Sequence, residues 1–573
     1  MESYIHLYET NDDFTAAYNS PNYKEPWLSL TEENMEVNYN KPKLTAITFN
    51  SITWVSDVPA TGGTATKGNC TFEVYAKYDN GISVDISSDA MVTGELVVPS
   101  STEGQRHEAG TLRLTASYSG FTATGNVTAY QEAVPDFSTE PLTFNILSAG
   151  TINWTASDSS ASKTIDYKLN DSPNWASITS NMEGAKINVN AGDKLQFRGN
   201  NAQYGIDDEN YNSFGGSALF ESEGNIMSLI YGDNFKNNLT INDYAFTGLF
   251  SECTGLTSAE NLILPATSLA TSCYSNMFAV CSSLTTTPKL PATSLATSCY
   301  SNMFAVCSSL TTAPELPATT LADSCYIGMF AVCSSLKTTP KLPATSLATS
   351  CYSNMFNGCS SLKTTPKLPA TKLYNYCYES MFCDCTSLTT APELPATTLA
   401  DSCYIGMFNG CTSLTTAPEL PATTLIDSCY YSMFAGCASL TKAPELPVTN
   451  LAWACYGRMF YGCTKLTAAP ELPATTLTSR CYEYMFYGCT SLATAPELPA
   501  STLASQCYSS MFDGCTSLNY IKCLATNISA FDCTSYWVDH VAATGKFVKA
   551  SSMTSWGRGN NGIPYGWTVQ DAS

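Results

Sequence analysis

The chain has 573 residues, with 49 acidic against 27 basic side chains and a net charge of −22. Such a surplus repels nucleic acid and anionic membrane surfaces, so neither is expected as a partner. No run of 18 apolar residues occurs, so no transmembrane helix and no membrane insertion are expected.

Residues 1–43 intersperse Tyr4, Tyr8, Tyr18, Tyr23, Trp27 and Tyr39 with acids. That is too aromatic for a typical disordered tail. Rings left in water are costly and the segment has no large core of its own, so it is expected to anchor the chain to a larger assembly, a virion or an envelope. The opening Met1-Glu2-Ser3-Tyr4 shows neither a basic nor an apolar signal region, so no secretory signal is expected. Release inside a virus particle is one other route to the outside of a cell.

Residues 44–134 alternate as half-buried strands do. Cys70, Phe72, Val74 and Ala76 lead to an Asn80-Gly81 hairpin turn and then Ile82, Val84 and Ile86. Leu112, Leu114, Ala116 and Tyr118 form another alternating run, closed by Ser119-Gly120. The segment resembles a bacterial immunoglobulin-like domain of group 2, which implies a β-sandwich spacer. Residues 135–240 carry further strand patterns, as in Ile152-Asn153-Trp154-Thr155 and Leu195-Gln196-Phe197-Arg198. A second β module is expected there, capping a solenoid that begins at residue 241.

From residue 241 to 537 a repeat takes over. Cysteines recur every 26 residues from Cys273 to Cys507, each followed by Tyr, with Cys533 continuing the series. A second series runs from Cys281 to Cys515 at the same period, preceded by Cys253. One unit reads Cys299-Tyr300, Met303-Phe304, Cys307, Leu310, Pro314-Glu315-Leu316-Pro317, Leu321. A fixed period of this size with recurrent Leu marks a leucine-rich-repeat solenoid, whose units bury their apolar faces only by stacking. Leu295, Cys299, Met303 and Cys307 lie four apart, a spacing that predicts a helix with one apolar stripe. Leu310 to Leu316 predicts a short strand pairing with its copies, limited by Pro314. Gly358, Gly410, Gly436, Gly462, Gly488 and Gly514 suit a helix C-cap. Val280, Val306 and Val332 hold the same slot and resist φ > 0, so the cap is not expected to be uniform.

The pattern Met-Phe-x-Gly-Cys-Thr-Ser-Leu-Thr…Leu-Pro resembles the BspA-type (Treponema-type) leucine-rich repeat. The resemblance implies adhesin-like display, as in surface proteins of gut Bacteroidales and in proteins of their phages. The expected fold is therefore multidomain: N-terminal β-sandwich modules, then an α/β leucine-rich-repeat solenoid of about eleven coils. Residues 538–573, with Gly562-Ile563-Pro564-Tyr565-Gly566-Trp567, suit a C-terminal cap.

Catalytic chemistry is thinly supplied. The three histidines are His6, His107 and His540, in separate modules. A Ser-His-Asp or Cys-His site must draw on them. No catalytic residue, metal or cofactor is expected, since Cys-x7-Cys without His is not a usual zinc spacing. The repeat cysteines are expected to be buried, reduced packing residues. On a helix the two cysteines of a unit would lie ~12 Å apart, beyond the ~7 Å a disulfide spans.

Across units the apolar positions hold while outward positions change. Early units present Ala, Ser, Thr and Asn; later ones gain Tyr374, Tyr376 and Tyr431, and then the six residues Trp453, Arg458, Tyr461, Arg480, Tyr484 and Tyr487. Arg480, Tyr484 and Tyr487 are spaced to share one helix face, and Arg458 and Tyr461 precede the last two by one unit. Tyr, Trp and Arg are enriched in interface hot spots, and drift of exposed positions is the competing explanation. These six form the expected ligand-binding set. The expected function is a non-enzymatic, virion-associated decoration or fibre protein on the virion surface, binding a host cell-surface glycan or protein. A bacterial cell-surface adhesin is the alternative. A glycan-active enzyme within 135–240, around Asp207, Asp208 and Glu209, is the remote third. Self-association as a homo-oligomer stays open.

Overall fold

The computed structural model describes residues 43–54, 70–97, 107–131, 136–554 and 556–572. The chain divides into two compact units, Met1–Asp136 and Phe137–Ser573. The rings singled out in the leader, Tyr4 to Tyr39, lie outside the described residues.

In the first unit, β1 (Leu44–Trp54), β2 (Cys70–Tyr78) and β3 (Ser83–Asp85) form one antiparallel sheet. A second sheet holds β4 (Met91–Val97), β5 (His107–Tyr118) and β6 (Phe121–Gln131). Period-two alternation turns Val74, Ala76 and Val84 of one sheet and Leu112, Leu114 and Ala116 of the other inward, where they share one core. Ser119 and Gly120, at φ 47° and 84°, close β5 onto β6. Two left-handed residues in a two-residue turn match the twist of the strands.

The second unit begins with nine strands: β7 (Leu142–Ile146), β8 (Gly150–Ala156), β9 (Thr164–Leu169), β10 (Ala176–Thr179), β11 (Ala185–Val189), β12 (Lys194–Arg198), β13 (Asn212–Gly216), β14 (Phe220–Asn225) and β15 (Leu256–Ile263). One sheet runs β10-β9-β12-β7-β14-β15 and the other β11-β8-β13. The pairing of β14 with β15 is parallel, while its other neighbour β7 is antiparallel. Because β15 lies in the first coil, the β module passes its sheet directly to the solenoid. One continuous core then extends from Leu142 to Trp567. At the far end β16 (Tyr520–Cys523), β17 (Lys546–Lys549) and β18 (Thr568–Asp571) continue the parallel stacking.

The coils do not contain the helix expected from the four-residue spacing. Each unit instead folds as a ribbon of turns in which successive amides serve two different partners. In the unit at Ser298, the N–H groups of Ser298, Tyr300, Asn302, Phe304 and Val306 donate to Asp323, Cys325, Ile327, Met329 and Ala331 of the next coil. The amides between them, on Ser301, Met303, Ala305 and Cys307, donate three residues back within the coil. A helix would direct every amide along its own axis. The ribbon requires a left-handed residue at every fourth position, here Ser298, Asn302 and Val306 at φ 54°, 51° and 61°. The slot read as a helix cap is therefore left-handed throughout: Gly358 and Gly410 adopt φ 73° and 72°, Val280 and Val332 φ 62° and 60°. The expected Leu310–Leu316 strand is likewise reduced to single parallel bridges, such as Thr312↔Thr338 and Thr416↔Lys442. Pro314, without an N–H, interrupts anything longer.

The interior is a set of columns. Tyr204, Phe246, Tyr274 and then the Tyr of each unit stack at ring separations near 6 Å as far as Trp537; Tyr300 and Tyr326, for example, are 5.9 Å apart and 2° from parallel. A Phe column runs beside it from Phe250, which packs on Phe144 and Phe214 of the β module, to Phe512. The second cysteine of each unit ties neighbouring coils together. Cys307 Sγ donates to the carbonyl of Phe278, and Cys463 to that of Phe434, each at 3.1 Å. A thiol is small enough for this space and asks for one weak partner. Burial pushes Cys333, Cys463 and Cys515 up to about 12, so they stay protonated at neutral pH.

This packing can be tested in two ways. Denaturation without reductant should release all 25 thiols to alkylation, with no zinc in the metal analysis. In the folded protein Cys383, half-buried where the others are buried, should react first. Intact mass reads both, and a mass deficit from disulfides or stoichiometric zinc overturns the assignment. The left-handed valines supply the second test. A side chain bearing Cβ costs roughly 1–2 kcal/mol in this conformation, partly offset by the entropy glycine loses on folding. Val280→Gly, Val306→Gly and Val332→Gly should therefore each stabilise by about 0.5–1 kcal/mol. Their combination should raise the thermal midpoint; an unchanged or lower midpoint contradicts the strain.

Candidate recognition surface

Three of the six singled-out residues occupy the left-handed positions of the turn ribbon: Arg458, Arg480 and Tyr484 at φ 54°, 59° and 54°. The position of Arg458 and Tyr484 holds Asn302, Gly328, Asn354 and Gly406 in earlier coils. Asn and Gly tolerate that conformation; Arg and Tyr resist it. The shared helix face expected for Arg480, Tyr484 and Tyr487 is thus corrected. The ribbon aligns Arg480 with Tyr484, and the stacking of coils adds the rest.

Four of the six form one cluster, and Arg480 adjoins it through Glu483, whose carboxyl feels both Arg480 and Arg458. Tyr461 and Tyr487 stack at 4.7 Å, 2° from parallel, one coil apart. Tyr484 leans on Tyr487 at 5.9 Å, and the Arg458 guanidinium lies 4.8 Å over the Tyr484 ring. Arg480 donates from Nε to Gln506 Oε1 at 2.9 Å and lies 3.9 Å from the Glu483 carboxylate. Trp453 is 46% exposed, and its backbone N–H donates to Asp427. Among the described residues no ring contact or side-chain hydrogen bond joins its indole to the other five.

Several neighbours were not in the expected set. Tyr431 covers Gly457, where an added Cβ would meet its ring at 2.7 Å. Desolvation raises the Glu483 carboxyl above its ordinary value against the opposing pull of Arg480 and Arg458. Tyr487 is raised chiefly by the Asp513 carboxylate. Asp513 and Asp539 follow Tyr461 and Tyr487 in the same 26-residue column, and His540 holds the slot of Gly514. His540 Nδ1 lies 2.9 Å from Asp513 Oδ1, and this hydrogen bond first, with the charge of Asp539, raises the imidazole above its ordinary value. The three groups offer ligand atoms within 4.8 Å of one another, a set able to hold a divalent ion where no metal was expected. Projecting the 26-residue register past the last Cys-Tyr pair would have found them.

The carboxylates considered for catalysis in 135–240 serve their own loop. Asp207 accepts from the backbone N–H of Glu209 and Asn210 and from the Asn210 side chain. Those bonds, led by the Asn210 side chain, hold its carboxyl below the usual range. Of the histidines, His6 lies outside the described residues.

The comparisons with known proteins bear on the coils. A family model described as the BspA type leucine rich repeat region matches in six copies, over residues 320–441, 393–491 and 456–536. No curated protein and no solved structure matches. The 26-residue coils of residues 320–536 are BspA-type leucine-rich repeats.

Proposed function

We propose that this chain is a non-enzymatic binding protein whose late coils recognise a host cell-surface glycan or protein. One observation carries the reading. Arg458, Arg480 and Tyr484 stand in left-handed positions that earlier coils fill largely with Ser, Asn and Gly. Each costs of order 1–2 kcal/mol relative to glycine, without filling the core. Tyr376 is also left-handed in an earlier coil, but only in the late coils do such side chains join other rings, Arg458 over Tyr484 and Tyr484 against Tyr487, in one exposed group of Tyr and Arg that suits recognition.

In this reading residues 1–43 anchor the chain, 44–134 form the immunoglobulin-like spacer, 135–240 cap the solenoid of 241–537, and 538–573 close it. The site of display is a virion surface, as a capsid or tail decoration. The repeat type favours the second reading, a bacterial surface adhesin. Antibody labelling of purified particles against labelling of whole cells separates the two.

The recognition face is tested by a Tyr484→Ala, Tyr487→Ala double variant beside Asn302→Ala in an early coil. Truncating true hot spots should cost ~2 kcal/mol or more of binding, a drop of at least tenfold. Stability should shift by less than about 0.5 kcal/mol per exposed site. The measurement is attachment of labelled protein to intact host cells, with melting temperature as control. Equal attachment by both variants would remove the late coils from consideration.

A further inference from the structure

The Tyr461–Tyr487 stack ends abruptly. Its column along the solenoid reads Asn409, Ala435, Tyr461, Tyr487, Asp513. The two rings are parallel within 2° and one coil apart, so their planes lie across the direction of stacking. One face of Tyr461 is covered by Tyr487. The other looks toward the coil of Ala435, whose methyl group fills none of the space a third ring would take. Among the described residues no ring or cation covers that face. Tyr461 is nonetheless 37% exposed.

On the far side of the missing rung stands Asn409. Its Oδ1 lies 3.8 Å from where a Cβ on Gly436 would sit, so the carboxamide hangs beside the same gap. No hydrogen bond to that side chain occurs among the described residues. The floor is Ala435, 6% exposed, whose N–H is held by the Ser432 carbonyl at 3.1 Å. The walls therefore stand two coils apart, ~10 Å between centres, with one rung absent between an aromatic wall and an amide wall above Ala435.

We infer that this slot between Tyr461 and Asn409 is a subsite for one pyranose ring of a glycan. It rests on the recognition reading above and names its ligand class. A pyranose has a C–H face that packs on an aromatic ring and hydroxyls around its edge. The aromatic wall meets the first and the unpartnered amide meets the second. A ligand aromatic ring would leave the carboxamide without a partner as it lost its water, at a cost in affinity.

The experiment uses the full chain and saturation-transfer NMR with the methyl glycosides of glucose, galactose, mannose and N-acetylglucosamine. At least one should receive saturation. Ala435→Tyr adds the missing rung, in a column that already accepts Tyr in two consecutive coils. It should weaken that glycoside at least tenfold with an unchanged melting temperature. Asn409→Leu removes the hydrogen-bonding wall and should weaken it at least fivefold, which keeps the test intact if the first variant is destabilised. Absence of transfer from all four glycosides, or wild-type binding by both variants, overturns the subsite. If the Tyr484→Ala, Tyr487→Ala variant loses cell attachment while Ala435→Tyr keeps it, the subsite is wrong and the broader recognition face stands.

Discussion

Every second amide in the turn ribbon is committed to the next coil, and the rest of the solenoid depends on that division. A chain that sends alternate N–H groups outward along the stack cannot be helical, and it must reverse its backbone hand at fixed intervals. The left-handed residues at Ser298, Asn302 and Val306 are those reversals. They recur at four residues, and their occupants range from buried Ser402 and Ala454 to exposed Val332 and Arg458, while Trp453 and Tyr461 turn outward without a left-handed backbone.

The same division sets the core. With the coils hydrogen-bonded edge to edge, equivalent side chains fall above one another and apolar positions become columns. Parallel stacking of Tyr on Tyr and Phe on Phe adds about 0.5–1.5 kcal/mol per pair to the area each ring removes from water. Columns need ends. At one end Phe144, Phe214 and Tyr204 of the β module meet the first coils. At the other, Trp537 receives both columns and stacks on Trp556 at 5.6 Å. A repeat stack that exposed its last rungs would be insoluble, which is why both ends depart from the repeat.

The period, the buried cysteines and the Pro-limited pairing are legible in the sequence because each rests on local residue chemistry. The ribbon is not. Leu295, Cys299, Met303 and Cys307 keep a strict interval of four, and on a helix each step would rotate the stripe by ~40°. That strictness is itself the sign of a structure with a period of four. Valine in the glycine slot misleads in the opposite direction. Its dislike of φ > 0 is real, yet the hydrogen bonds between coils fix the backbone there whatever the residue. For the recognition surface, composition points to Arg458, Tyr461, Arg480, Tyr484 and Tyr487. It does not show that coil stacking seats Arg458 on Tyr484, or that Asp513, Asp539 and His540 extend the same columns.

Because the second cysteine thiol of each unit bonds to the coil before it, neighbouring coils meet through nearly identical surfaces. A recombination event that removes or duplicates 26 residues within 273–515 would rejoin compatible faces and leave both aromatic columns unbroken. The solenoid can thus lengthen or shorten in whole coils while keeping its ends. Each such event would slide the late-coil face by one rung of ~5 Å relative to the β module. The reach of the display is then inherited separately from its chemistry, and one can change between generations while the other is conserved.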